Sequence, residues 1–141
     1  MTKYRKILSI VLLENEHKQI HLQLRDNIPN ISHPNYWGIF GGGIEAGEDR
    51  LSAALREIQE ELLIVCDPEK ISFLHSFELD NALFHLFHYP VSKNEMSGAK
   101  IQEGQRMGTF SKEQISTGEL EGHLIIPHHL DMLHWYWKNK K

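Results

Sequence analysis

Three glutamates, Glu57, Glu60 and Glu61, are spaced so that a helix gathers them on one flank. At 100° per residue they fall within an arc of roughly 100°, with Glu57 and Glu61 one turn apart. Like charges so placed destabilise an isolated helix, so the cluster calls for a cation. Arg56 supplies one positive charge and can pair with Glu60. The negative charge left over suits a hard divalent ion that takes oxygen ligands, keeps several waters and bridges to phosphate oxygens. That describes Mg2+, with Mn2+ able to substitute.

Upstream, Gly41, Gly42 and Gly43 follow one another, and Gly47 closes a second bend before the helix. Glycine permits backbone angles closed to other residues, so this stretch reads as a loop. It can bring backbone carbonyls to a metal and the amides of Gly42 and Gly43 to a phosphate. Loop and helix then make one site, at which a metal would neutralise a diphosphate and orient a water for attack on phosphorus.

The elements that must hold this site follow from periodicity. Asp49 to Ile64 carries apolar residues at Leu51, Ala54, Leu55, Ile58 and Leu62, the spacing of one helix face, and Asp67-Pro68 ends the helix at the latest. Lys6 to Leu13 and Gln19 to Leu24 read as a strand hairpin turning at Glu14 to Lys18, and Arg25 to Tyr36 as a loop. Ile71 to Leu79 and Ala82 to Val91 read as strands around a tight turn at Asp80-Asn81, followed by a loop from Ser92 to Gly98. Ala99 to Phe110 reads as a strand interrupted near Gly104, and Ser111 as the cap of a short helix. A last helix starts after Pro127 with Leu130, Leu133, His134 and Trp137 on one side. The order suggests a mixed sheet with helices packed on it.

Composition narrows the partners. A chain of 141 residues fits one domain, and 40% hydrophobic with 24% charged residues is ordinary for a globular protein. No apolar run is long enough for a membrane span, and the apolar stretch Ile7 to Leu13 lacks the features of a signal peptide. One cysteine, Cys66, excludes an internal disulfide, and a reducing, cytoplasmic location fits best. A net charge of -4 argues against polymeric nucleic acid but not against a small phosphorylated ligand.

The segment from Gly42 to Ile64 resembles the Nudix box, in which a glycine, a glutamate, an Arg-Glu pair and a Glu-Glu pair stand at fixed spacing. Those places are Gly42, Glu48, Arg56, Glu57, Glu60 and Glu61 here, with Ile58 and Ile64 at apolar places. Six fixed letters coincide by chance on the order of once in 10⁷ starting positions. The one departure is Leu63, where the family has glycine, and leucine there allows the helix to continue towards Cys66.

The resemblance implies an α/β/α sandwich of the Nudix type and a Mg2+-dependent hydrolase that cleaves a phosphoanhydride bond in a nucleoside diphosphate linked to another group, such as a (d)NTP or nucleotide sugar. It implies Glu57 and Glu61 as chief metal ligands, with Glu60 and the Gly41 carbonyl as further ones and Glu48 and Arg56 as supports. Family members often recruit a later acidic residue or histidine as base or ligand, and Glu103 is the candidate, a surface carboxylate being the alternative. Arg25 either grips a phosphate or is an ordinary surface arginine.

The ten histidines show no metal-ligand spacing and read as structural or surface residues. Arg25 to Tyr36, Ser92 to Gly104 and Ser116 to Pro127 are the segments left to read the rest of the substrate. A competing function is a Nudix-fold module that binds a nucleotide metabolite without turnover, and the intact glutamate set ranks it second. Monomer and homodimer both stay open.

Overall fold

The computed structural model describes residues 4–140. The polar, basic lead from Met1 to Lys6 falls partly on residues 1–3, outside the described residues. The elements in order are β1 (Lys6–Glu14), β2 (Ile20–Leu24), β3 (Trp37–Gly38), β4 (Phe40–Gly43), α1 (Arg50–Leu62), β5 (Ser72–Leu79), β6 (Ala82–Pro90), α2 (Lys93–Ser97), β7 (Arg106–Phe110), α3 (Lys112–Ile115), β8 (Glu119–Leu120), β9 (His123–Leu124) and α4 (Pro127–Asn139).

The main sheet runs β3-β2-β1-β6-β5, with β4 also pairing β1 and β7 pairing β2. It is mixed: β1 runs parallel to β6 from Lys6↔Ala82 to Glu14↔Pro90 and antiparallel to β4 from Leu8↔Gly43 to Val11↔Phe40. Strand β1 is therefore central and covered on both faces. Its Val11 and Leu13 pack with Phe40, Ala54, Ile58 and Leu62 under α1. Ile10 and Leu12 face the other core, with Trp37, Met132 and Leu133 under α4. Burial on both sides explains why this strand reads as a continuous apolar run instead of an alternating one. The result is the α/β/α sandwich with a mixed sheet that the sequence implied.

Both hairpin turns fall where expected. Asn15 closes the first by accepting the backbone N–H groups of His17 and Gln19 on its side-chain oxygen, and Asp80 and Asn81 take positive φ in the second. Other expectations are corrected. Ser92 to Gly98 is no plain loop, since Ser92 and Glu95 form a capping box that starts α2. Ala99 to Gln105 is not strand. The N–H groups of Lys100 and Gln102 donate to the carbonyls of Leu62 and Glu61, which finishes the orphaned end of α1 instead of extending the sheet. In α4 the buried face is Met132, Leu133 and Tyr136, and His134 is exposed.

Helix α1 is capped by Asp49, which accepts the Ser52 N–H, and the Ser9 hydroxyl on β1 donates to the Arg50 carbonyl at 2.8 Å. It stops at Leu62 and does not run on towards Cys66. Leu63 itself takes the left-handed cap, with φ 59° and ψ 29°, and its N–H donates to Gln59. The side chain gains little there, being half exposed. A leucine in this region costs about 1–2 kcal/mol, and glycine gives back part of that in unfolded-state entropy. Leu63→Gly should therefore raise stability by about 0.5–1 kcal/mol, read as a higher urea midpoint with unchanged slope.

Candidate active site

The acidic cluster sits where α1 crosses β4, and the glycines are what let it approach. The stretch expected to be a loop is strand: Gly41, Gly42 and Gly43 pair with Ile10, Ser9 and Leu8 of β1. The glycines serve mainly to provide room. A Cβ on Gly42 would lie 2.2 Å from Glu57 Oε1, and one on Gly41 would lie 2.3 Å from the Ser9 carbonyl oxygen. Of the three, Gly41 alone has positive φ, while Gly47 has it at the bend before α1. Ala53 and Ala54, both fully buried, keep the helix low on the sheet.

Glu61 is buried, and its Oε1 accepts the Gly41 N–H at 2.8 Å. Burial pushes its carboxyl up to about 9, Glu57 alongside adds to the rise, and the Gly41 N–H opposes it. Burial also raises Glu57, against the pull of Arg56. Such groups resist ionisation until positive charge is brought to them.

Arg56 organises the outer side. Its Nε and Nη2 fork onto Glu48 at 2.7 and 2.9 Å, Nη2 also reaches the Gly43 carbonyl at 3.0 Å, and Nη1 reaches Glu60 at 3.1 Å and Glu57 at 3.3 Å. The fork holds Glu48 down to about 2, helped by the Glu45 N–H. Glu60 is the outlying member, its side chain 56% exposed against 13% for Glu57.

Glu103 joins the cluster through the segment that finishes α1. Because Gln102 donates to the Glu61 carbonyl, the next residue comes close enough for its charge to raise both Glu57 and Glu61. Gln23 Nε2 fixes the bend by donating to the Glu103 carbonyl at 2.9 Å. A cleft of about 310 Å3 opens here, lined by Gln23, Arg25, Asp26, Ile31, Glu103 and Gly104. Arg25 stands in its wall, its Nε donating to the Ser32 carbonyl at 2.9 Å, and it draws Glu61 towards ionisation.

Arg25 also lines a second cavity of about 150 Å3 that reaches Gly41 and includes His33, His128 and His129. Nothing in the spacing of these histidines marks them in the sequence, and only the packing of α4 on the sheet gathers them. A larger cavity, about 350 Å3, lies beyond the end of β1 against Asn15, His21 and Ser92, away from the acidic cluster.

The residues fit a hard divalent cation. The buried carboxylate of Glu61 and the half-buried one of Glu57 stand side by side with oxygen donors only. Among the described residues no three acidic, histidine or cysteine side chains form a finished cage. Magnesium, which keeps several waters and takes one or two carboxylates, asks for no such cage.

A family profile described as the NUDIX domain matches residues 3–131. The chain belongs to the Nudix family. Dihydroneopterin triphosphate diphosphatase of Escherichia coli is 28% identical over 96 residues, which are 64% of this chain and 60% of that protein. The chain thus aligns with less than two thirds of that relative's length. Among solved structures, the MutT protein of Methanosarcina mazei Go1 superposes with TM-score 0.75 at 22% identity, covering 100% of this chain and 99% of that one. The Nudix domain of Shewanella oneidensis NrtR, solved in complex with ADP ribose, superposes with TM-score 0.73 at 16% identity, covering 97% and 89%. At these identities the structures speak for the fold alone.

Two stability measurements check the packing of this Nudix site. Gly41→Ala forces a Cβ into β1 backbone and should cost about 2–4 kcal/mol, whereas Gly42→Ala meets only the movable end of Glu57 and should stay within about 1 kcal/mol of wild type. The second concerns His129, whose Nδ1 accepts the Ile39 N–H at 2.9 Å. Burial holds its pKa down to about 3. Between pH 6.5 and 3 the unfolded chain binds a proton that the folded one refuses. Its stability contribution, complete above pH 6.5, is therefore lost on acidification, at up to about 1.4 kcal/mol per pH unit. Urea titrations between pH 7.5 and 5 should show this slope, and His129→Asn, whose side-chain carbonyl can still accept from Ile39, should lack that share of it.

Proposed function

We propose that this Nudix protein hydrolyses a phosphoanhydride bond in a nucleoside diphosphate linked to another group, with a nucleoside triphosphate or nucleotide sugar as substrate and Mg2+ or Mn2+ as cofactor. The observation that carries this reading is the buried Glu61 carboxyl, held by the Gly41 N–H beside Glu57 in a gap that only glycine leaves open. A structural role would be served as well by an apolar residue at Glu61, since an acid there is costly without a cation.

Glu57 and Glu61 would hold the ion, with Glu60 and the Gly41 carbonyl in support. When bound, the ion neutralises the diphosphate and acidifies an attacking water. Arg56 keeps Glu57 aimed by binding it, Glu48 and Glu60 together. We assign Arg25, which lines both the cleft and the smaller cavity, the grip on a phosphate oxygen. Gly43, with open space above it, keeps the floor of the site bare for phosphate to approach, and Gly42 beside it leaves room for Glu57. Glu103, in the wall of the cleft, is assigned the proton of the attacking water. The relative from Escherichia coli bears the name of a triphosphate diphosphatase, which agrees with cleavage within a triphosphate.

The test is release of phosphate, pyrophosphate or nucleotide from (d)NTPs, nucleotide sugars, ADP-ribose and a pterin triphosphate with Mg2+ or Mn2+. Chelation should abolish turnover, and Glu61→Gln should lower kcat/KM by roughly 10²–10³-fold while leaving the protein folded. Nucleotide binding without turnover in wild type would instead support the sensor.

A further inference from the structure

Strand β2 turns Ile20, Leu22 and Leu24 to the core it shares with α4, so His21 and Gln23 face the other side of the sheet. Gln23 is only 5% exposed there, and a carboxamide so buried is costly unless it is hydrogen-bonded. Its Nε2 donates to the Glu103 carbonyl at 2.9 Å. Packing alone would be served as well by an apolar side chain of the same size.

The bend that receives this bond lies directly on the Gln23 side chain. Gly104 has φ 84°, and a Cβ added to it would stand 2.8 Å from Gln23 Cγ and 2.8 Å from the Leu24 carbonyl oxygen. The Gly104 N–H donates to Asp26 Oδ2 at 3.3 Å. The peptide between Glu103 and Gly104 is therefore held at both ends, its carbonyl by Gln23 and its N–H by Asp26. A peptide unit is planar, so two bonds to it fix its tilt, and the tilt sets the direction in which the Glu103 side chain leaves the backbone. Bonds on either side fix where the bend lies: the Gln102 N–H donates to the Glu61 carbonyl at 2.9 Å, and the Gln105 N–H donates to the Leu24 carbonyl at 2.8 Å. Glu103 itself is exposed, so its aim depends on its backbone more than on packing.

We propose that Gln23 is a positioning residue for Glu103: by holding the Glu103 carbonyl it orients the peptide from which that side chain leaves, and so keeps the carboxylate beside Glu57 and Glu61. A catalytic group displaced by about 1 Å can lose on the order of 10²-fold in rate, which is the scale of effect open to such a residue. The proposal rests on the hydrolase reading for what Glu103 does there, but the placement of its charge is also read by metal binding alone. Gln23 lines the cleft as well, so a direct grip on substrate is the competing role, and it shows in KM.

Double-variant cycles on the full chain test it. Gln23→Met keeps nearly the same volume without the donor, and its urea midpoint shows that it is folded. It should lower kcat by roughly 10–10²-fold with KM within about twofold of wild type. On a Glu103→Gln background it should cost no further activity, because a residue that acts through Glu103 has nothing left to position. Asp26→Ala frees the other end of the same peptide from a half-buried position outside the core, and its several-fold loss of kcat should likewise vanish on that background. Mn2+ titration without substrate repeats the cycle: Glu103→Gln should weaken the ion several-fold, Gln23→Met should weaken it in the same direction, and the double variant should match Glu103→Gln alone. A raised KM at unchanged kcat would overturn the proposal, as would additive losses in either cycle or Mn2+ affinity unchanged by Gln23→Met. Mn2+ binding without turnover in wild type removes the hydrolase reading and leaves the Mn2+ cycle to decide this one. Metal-dependent turnover with additive losses does the reverse, and wild type that neither binds Mn2+ nor turns over overturns both.

Discussion

The site depends on one close contact, the approach of α1 to β4 where Gly41 and Gly42 carry no side chain. Glu57 lies in the space a Cβ on Gly42 would fill, and Glu61 reaches the backbone of Gly41. The helix is held at that height by the Ser9 bond to its first turn and by Ala53, Ala54 and Ile58 against the sheet. A larger residue at Ala53 or Ala54, both fully buried, would lift the helix and expose Glu61 to water. The burial that makes Glu61 hard to ionise is thus a direct result of the packing that anchors α1.

Charge is graded across the cluster. On the outer side Arg56 forks onto Glu48 and keeps it ionised, with Glu60 exposed beside it. Inwards, Glu57 and Glu61 are both pushed up by burial, and the charge of Glu103 adds to the repulsion. One arginine cannot serve four carboxylates from one side. The inner pair is left short of positive charge, which a divalent ion would supply in a small volume.

The end of α1 shows how ordinary backbone accounting builds a site. The last carbonyls of a helix need donors, and here Lys100 and Gln102 provide them from a segment that is neither helix nor strand. That repair carries Glu103 to the cluster and leads the chain into Gly104, whose bend is tied to Asp26 and Gln23. The same bend adjoins Arg25, which stands between the acidic cleft and the histidine-lined cavity.

Much of this was legible in the sequence. Helical spacing placed Glu57, Glu60 and Glu61 on one flank, and the period of α1 marked the side it turns to the core, because periodicity records which side of an element meets the core. The spacing of Gly42, Glu48 and the Arg-Glu and Glu-Glu pairs identified the family. What the sequence alone did not determine depends on partners distant in the chain. That the glycines lie in a strand follows from pairing with β1, and that Leu63 ends the helix in a left-handed turn follows from the chain having to leave α1 there. Residues 99–105 are pinned by the free carbonyls of a helix nearly 40 residues earlier. His33, His128 and His129 meet because α4 packs across the sheet, and no local pattern encodes that contact. Local periodicity is set by one element's own burial, whereas a site wall is set by which elements the tertiary fold brings together.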